Sequence, residues 1–343
     1  DQLHDTREVC DADDPASIGW VDDPEHQRRT PLTWTPSDGS LALIGSIGSG
    51  TTSTMIALAT VTCHRATPDR LHLYVIDARG DDGLTALAAL AHCGGVVRLT
   101  EDERLHRLLA RVVEAIDRRM SLGAAGTGGE PDIVLMIDGY GSLKSSLAAI
   151  ERQATFDLLQ RVVNDGPAAG IALVVADDGG TAMTLVPVAH RWLFHLDDPG
   201  VARGLGLRTA PVGPGAPGRL RILATGLEAQ VAKGAAGLAE LPAQDDCPDL
   251  GPPPIAALPD LVAVEKLDVG DVGVISGAAR LVVGVDGGDL STAALDIVDG
   301  DHALVVGGPR TGVSTALARL AAAWEDDAVH RAQPYRIVRF GRR

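Results

Sequence analysis

Aromatic side chains are scarce, at 3% of the 343 residues, although 45% of the chain is hydrophobic. A core built from this sequence must be aliphatic, and the length is enough for about two domains. Cysteine is scarcer still: Cys10, Cys63, Cys93 and Cys247 stand far apart, with no CxxC pair and no Cys/His cluster. Neither a structural zinc site nor a disulfide framework is suggested, and a reducing compartment is the expected setting. Positive charge is also in deficit, leaving a formal net charge of −16. Non-specific nucleic-acid affinity comes largely from neutralised phosphates, so the bulk charge argues against an extended nucleic-acid groove and leaves room only for a local basic patch. No apolar run approaches the roughly 20 residues of a membrane span, and no signal peptide is visible. The chain starts at Asp1 without methionine and reads as a segment of something longer, with any membrane anchor expected outside it.

What is present is a strand–helix alternation. Residues 1–30 are polar and acidic and read as a lead-in. Leu41–Ile44 is an apolar strand, followed by a Gly/Ser/Thr loop and a helix over about Thr52–Cys63. A second strand, Leu71–Ile76, ends at Asp77, and a helix is expected over Gly83–His92 before the strand Gly95–Leu99. From Glu101 to Met120, the residues Leu105, Leu108, Leu109, Val112, Val113 and Ile116 repeat at helical spacing, and Thr100 with Glu103 gives a capping-box start. Asp132–Asp138 is a continuous apolar strand of the kind found in the buried middle of a parallel sheet. A helix over Leu147–Asn164 and strands at Gly170–Ala176, Arg191–Leu196, Arg219–Ala224 and Glu228–Ala232 follow. Alternation at this spacing means βαβ units and an open α/β, mostly parallel sheet with helices on both faces. The Pro-rich stretch 247–259 reads as part of a linker.

Two loops carry the chemistry. The phosphate-loop pattern G-x-x-x-x-G-K-[ST] lies between a strand and a helix, where main-chain N–H groups cradle phosphates and the helix dipole favours negative charge. Gly45-Ser46-Ile47-Gly48-Ser49-Gly50-Thr51-Thr52-Ser53 fits it in place and spacing, but Thr51 stands where the lysine belongs. The stretch around Gly307, Gly312, Val313 and Ser314 repeats the layout, with Val313 at the lysine position and Arg310 inside the loop. A second strand, Tyr335–Phe340, is expected after this copy, which is read as cut short there. Asp138 ends a buried strand where a Walker-B aspartate holds Mg²⁺, yet Gly139 follows it where hydrolysing P-loop proteins usually carry a glutamate. Losing the lysine costs about 1.5–3 kcal/mol, the worth of one charged hydrogen bond, so efficient hydrolysis is not expected; the loop reads as one that still binds some nucleotide or phosphate, with a purely structural relic and an ATPase using a substitute cation as the alternatives. Arg79 is a candidate substitute cation, with an ordinary surface arginine as the plain alternative. Asp77 reads equally as a site carboxylate or a strand-end cap. Asp177 or Asp178 is a candidate sensor, and His190 and His195 read as structural histidines.

The order of several short motifs resembles the FtsK/SpoIIIE group of RecA-like translocase ATPases, in particular the actinobacterial multi-ATPase type similar to EccC of type VII secretion. The carriers are Gly19-Trp-Val-Asp-Asp-Pro-Glu-His-Gln27, Gly45–Thr52, Ile137-Asp-Gly-Tyr140, Gly170–Val175, Pro217-Gly-Arg-Leu220, Glu228-Ala-Gln-Val231 and Leu295-Asp-Ile297. The resemblance implies a RecA-like P-loop NTPase fold and ATP with Mg²⁺ as cofactors. It also implies further ATPase domains in the same parent chain, a homo-oligomeric ring, DNA or a secreted protein as cargo, and a place on the cytoplasmic side of a bacterial membrane. The expected layout is a lead-in at 1–30, an ATPase-type domain at 31–245, a linker at 246–290 and the start of a second ATPase-type domain at 291–343. The expected function is that of a nucleotide-binding, weakly or non-hydrolysing regulatory module of a DNA or protein translocation motor. The alternatives are a substrate-recruiting pseudo-ATPase of the EccC kind and a scaffold that binds no nucleotide.

Overall fold

The computed structural model describes residues 17–80, 82–126, 129–179, 188–205, 216–232, 241–243, 250–259, 261–263, 267, 278–286, 290–298 and 300–330. It divides into two compact units, Asp1–Ala256 and Ala257–Arg343. The expected strand Tyr335–Phe340, Cys10 and Cys247 lie outside the described residues.

The first unit is built on one ten-stranded sheet. In chain order its elements are β1 (Ser17–Asp23), β2 (Arg28–Thr33), β3 (Leu41–Ile44), α1 (Thr51–Arg65), β4 (Leu71–Asp77), β5 (Cys93–Arg98), α2 (Asp102–Gly126), β6 (Asp132–Asp138), α3 (Tyr140–Leu147), α4 (Gln153–Asp165), β7 (Ile171–Asp177), β8 (His190–Leu193), α5 (Pro199–Gly204), β9 (Arg219–Ile222) and β10 (Glu228–Val231). The strand order is β2-β1-β10-β9-β8-β3-β7-β6-β4-β5. From β8 to β5 every pairing is parallel. Beyond β8 the sheet continues antiparallel through β9, β10, β1 and β2.

The parallel strands are apolar on both faces because both faces are covered. In β3 successive side chains point to opposite sides: Ala42 and Ile44 join a core with α2, α3 and α4, while Leu41 and Leu43 join one with α1 and the β1–β2 hairpin. α2 lays down the apolar stripe its spacing predicts, with Leu105, Leu108, Leu109 and Ile116 fully buried.

In the first unit the structure differs from the sequence expectation in three places. Residues 17–30, read as part of a polar lead-in, hold β1 and the first half of β2; Ile18 is buried although acids crowd the segment, because β1 pairs with β10. Thr85–Ala89 is a 3₁₀ turn within the expected helix Gly83–His92. Leu84, Leu87 and Leu90 stand three apart and are all buried, which is the period of a 3₁₀ and not of an α-helix. The helix expected over 147–164 begins only at Gln153, as α4, after a 3₁₀ turn at Ile150–Arg152, and α3 stands before it where no helix was expected. The sheet is mostly parallel, as expected, with an antiparallel extension through β9, β10, β1 and β2.

The second unit holds β11 (Ala278–Val285), β12 (Thr292–Val298) and α6 (Val313–His330). β11 falls inside the stretch read as linker and pairs antiparallel with β12. Ala279, Leu281 and Ala323 form a small core, with Ile297, Leu320 and Trp324 packed against it. The apolar run 303–306, expected as a strand, is not one: Leu304 and Val306 are 87% and 81% exposed, and among the described residues no strand lies beside it. No helix among the described residues is long and apolar enough to cross a membrane.

Candidate functional site

Open parallel sheets bind ligands beyond the carboxyl ends of their strands, where the chain crosses over. β3 sits between β8 and β7, and its chain leaves through α1 to reach β4, on the far side of β7 and β6. The loop Gly45–Gly50 lies at that crossing. Its near end is fixed by the neighbouring strands: Gly45 N–H donates to the Asp177 carbonyl and Ser46 N–H to the His195 carbonyl, each at 2.9 Å. The Ser46 hydroxyl accepts from the Asp197 amide at 2.9 Å. Its far end is fixed by the 2.8 Å bond from Gly218 N–H to the Ser49 carbonyl.

Gly50 closes the loop as the residue before α1, at φ +100°. A side chain there would bring Cβ to 2.4 Å from the Gly218 nitrogen, so only glycine fits. While Gly45, Ser46 and Ser49 spend their amides within the protein, Ile47, Gly48 and Gly50 donate theirs to no described backbone acceptor. The first-turn amides of α1 lack intrahelical acceptors by construction. These residues border a cleft of about 530 Å³, lined by Ile47, Gly48, Gly50, Thr51, Thr52, Ser53, Ala78, Arg79, Ser142 and Pro217. That volume lies within the usual 300–1,000 Å³ of small-ligand sites.

Three strands end in aspartates beside this cleft. Asp77 stands opposite Asp138, and Asp177 opposite Ile44. Their roles differ. Asp138 is fully buried and accepts a 2.6 Å hydrogen bond from the Thr52 hydroxyl at Oδ2. Its Oδ1 lies 2.8 Å from Arg79 Nε in an ion pair whose side chains are 0% and 16% exposed. Asp77 turns its Oδ1 to the Gly80 amide at 2.7 Å and so holds the turn that carries Arg79. Asp177 accepts from the Asp178 amide at Oδ1 and from the Gly141 amide at Oδ2, which caps α3; burial pushes its carboxyl up from the usual range against the pull of those amides. Of the sequence candidates, then, the loop, Thr52, Asp138 and Arg79 come together, while Asp77 and Asp177 act on backbone amides. His190 bonds to the Asp38 carbonyl, and His195 lies 3.3 Å from Asp197.

Gly139 is the residue before α3, at φ +83°; its Cβ position lies 3.0 Å from Arg79 Cγ. The place of the usual catalytic glutamate is therefore a backbone turn against an arginine stem. Thr51, in the lysine place, is 3% exposed. Ser142 lines the cleft without any signal in the sequence that marks it, and Pro217, which opens one of the resemblance motifs, lines it without having been singled out as a site residue. In the second unit Gly312 takes φ +89° and Arg310 +65°, and Ser314 is exposed; among the described residues no hydrogen bond joins Ser314 to a carboxylate as Thr52 is joined to Asp138. A separate cleft of about 380 Å³ lies at the opposite ends of β6 and β7, lined by Arg119, Glu130 and Asp132 among others. Arg119 there donates to the carbonyls of Ala169 and Gly170, a structural role.

Comparison with known proteins agrees with this geometry. Residues 8–126, which contain the loop, match the FtsK/SpoIIIE family. The chain is 29% identical over 170 residues to the ESX secretion system protein YukB of Bacillus subtilis, covering 45% of this chain and 11% of that protein. It is 25% identical over 353 residues to the ESX-5 secretion system protein EccC5 of Mycobacterium marinum, covering 88% of this chain and 25% of that protein. It thus spans a quarter or less of these relatives. Among solved structures it is similar to ATPases 2 and 3 of Geobacillus thermodenitrificans EssC, with a TM-score of 0.68 and 21% identity over 92% of this chain and 65% of that one. A second is ATPases 2 and 3 of Thermomonospora curvata EccC in complex with a signal sequence peptide, with a TM-score of 0.61 and 21% identity over 82% of this chain and 55% of that one. These likenesses give the fold as RecA-like. Over residues 8–126 the chain is thus similar to the FtsK/SpoIIIE family, and over longer stretches to the EccC and EssC proteins of type VII secretion.

Proposed function

We propose that this chain is a nucleotide-binding, non-hydrolysing module of a protein-translocation motor of the type VII kind. In this role, occupancy of the Gly45–Thr52 loop sets contacts with further ATPase domains of the same parent chain, and hydrolysis occurs elsewhere. The observation that carries the reading is the pairing of an intact cradle with absent chemistry. The Thr52 hydroxyl is 2.6 Å from Asp138 at the end of the glycine loop, while Thr51 and Gly139 occupy the places of the charged groups that drive phosphoryl transfer. Backbone amides and the helix dipole hold phosphate oxygens without them; orienting an attacking water is what they cannot do.

The formal charge of −16 and the secretion relatives favour a protein cargo over DNA. The T. curvata relative was solved with a signal peptide, and we extend the recruitment of such a peptide to this chain as part of the same reading. The test is calorimetric titration of the chain with ATP, repeated with Thr51→Lys, alongside an assay of phosphate release. The wild type is expected to bind weakly and release no phosphate above background. The lysine restores a charged hydrogen bond of about 1.5–3 kcal/mol and should tighten binding roughly tenfold or more. No heat from either protein would leave only a scaffold role; rapid metal-dependent phosphate release by the wild type would make the module an ordinary ATPase.

A further inference from the structure

A P-loop site that uses a divalent cation keeps its Walker-B carboxylate free of other cations, available to the metal and its waters. Here that carboxylate is already balanced. Asp138 is fully buried, takes the Thr52 hydroxyl on one oxygen and the Arg79 guanidinium on the other. Arg79 is held in place by its own surroundings: Asp77 pins the turn beyond it through the Gly80 amide, and Gly139 packs against its stem. A divalent ion at this carboxylate would have to displace a buried guanidinium or sit beside it at close range, with like charges repelling in a poorly solvated pocket. A divalent cation does not fit this donor set; an anion does. Arg79 lines the same cleft as the open loop amides, and a guanidinium that pairs through Nε keeps further N–H donors for a phosphate.

Resting on the nucleotide reading above, we propose that Arg79 stands in for the metal: the site takes a metal-free nucleoside polyphosphate, with Arg79 serving both as counter-ion to Asp138 and as the fixed positive charge beside the phosphates. This accounts for the two missing groups together. With the cation built into the protein, the charge a loop lysine supplies is less needed for binding. Without a metal to align the phosphate and a water, a glutamate after Asp138 has nothing to complete.

The experiment is an ATP titration of the 343-residue chain in excess Mg²⁺ and again in EDTA, with Mn²⁺ electron paramagnetic resonance as a second readout. The expected result is an affinity in EDTA equal to that in Mg²⁺ within about threefold, or tighter, and no Mn²⁺ signal from protein plus ATP beyond that of ATP alone. Affinity at least tenfold greater in Mg²⁺, or Mn²⁺ immobilised on the wild type, would overturn the proposal and leave the nucleotide reading standing. Absence of binding in both buffers would remove the nucleotide reading and this one together. Arg79→Ala should gain Mg²⁺ dependence, but it strands a buried carboxylate. Arg79→Gln keeps a hydrogen-bond donor facing Asp138 while removing the charge, and it should show the same gain. A Gln variant still indifferent to Mg²⁺ would count against the stand-in role.

Discussion

Gly139 carries more of the site's behaviour than its size suggests. It takes φ +83°, a conformation that costs an L-residue about 1–2 kcal/mol, and a Cβ there would crowd Arg79 Cγ at 3.0 Å. Gly139→Glu, which restores the usual carboxylate on paper, is therefore expected to lower the thermal midpoint and to produce no phosphate release; a melting curve beside a phosphate assay checks both, and turnover by this variant would mean that the turn can rearrange. Part of what the structure brings together here was legible in the sequence. Gly45, Gly50, Thr52 and Asp138 follow from spacing, and Arg79 stood out as a cation near a strand end. What the sequence could not convey is direction. Asp77 and Asp177 end their strands just as Asp138 does, and only the turns after them decide that they face amides while Asp138 faces Thr52.

At the scale of elements, legibility followed periodicity. α2 declares itself through Leu105, Leu108, Leu109, Val112, Val113 and Ile116, all buried. Leu109→Ala should cost roughly 2–5 kcal/mol, the range for a leucine removed from a packed core, read as a fall in the urea midpoint at unchanged slope. The division between α3 and α4 was hidden because Ala148 and Ala149 are strong helix formers, with no Pro or Gly to mark the break; the chain instead turns at Ile150, which is 89% exposed. The hairpin β1–β2 was hidden for a different reason. Its partner β10 lies far along the chain, so the burial that makes it a strand is not local.

For the molecule as a whole, one identifiable source of acid sensitivity is His72, with His92 shifted the same way by burial. Burial, reinforced by Arg119 and Arg118 against a smaller pull from Glu130, pushes the His72 imidazole down from 6.5 to about 4. Between those values the unfolded chain binds this proton and the folded one does not, so stability rises with pH. The contribution is complete above pH 6.5 and lost as pH falls toward 4. Allowing for partial solvent exposure, the loss is on the order of 1–3 kcal/mol. Asp177, whose carboxyl burial raises above 3.8, works in the opposite sense, so the informative comparison is between wild type and His72→Gln: urea unfolding at pH 7 and pH 5 should show a smaller difference in the variant, and equal differences would clear His72 of the effect. The sheet order has a consequence of another kind. β1 docks on β10, and β3 is flanked by β7 and β8, each made long after its partner. A ribosome must therefore release the chain past Val231 before the first unit can close, and until then the nascent β1–β2 ribbon waits with one edge open to chaperones.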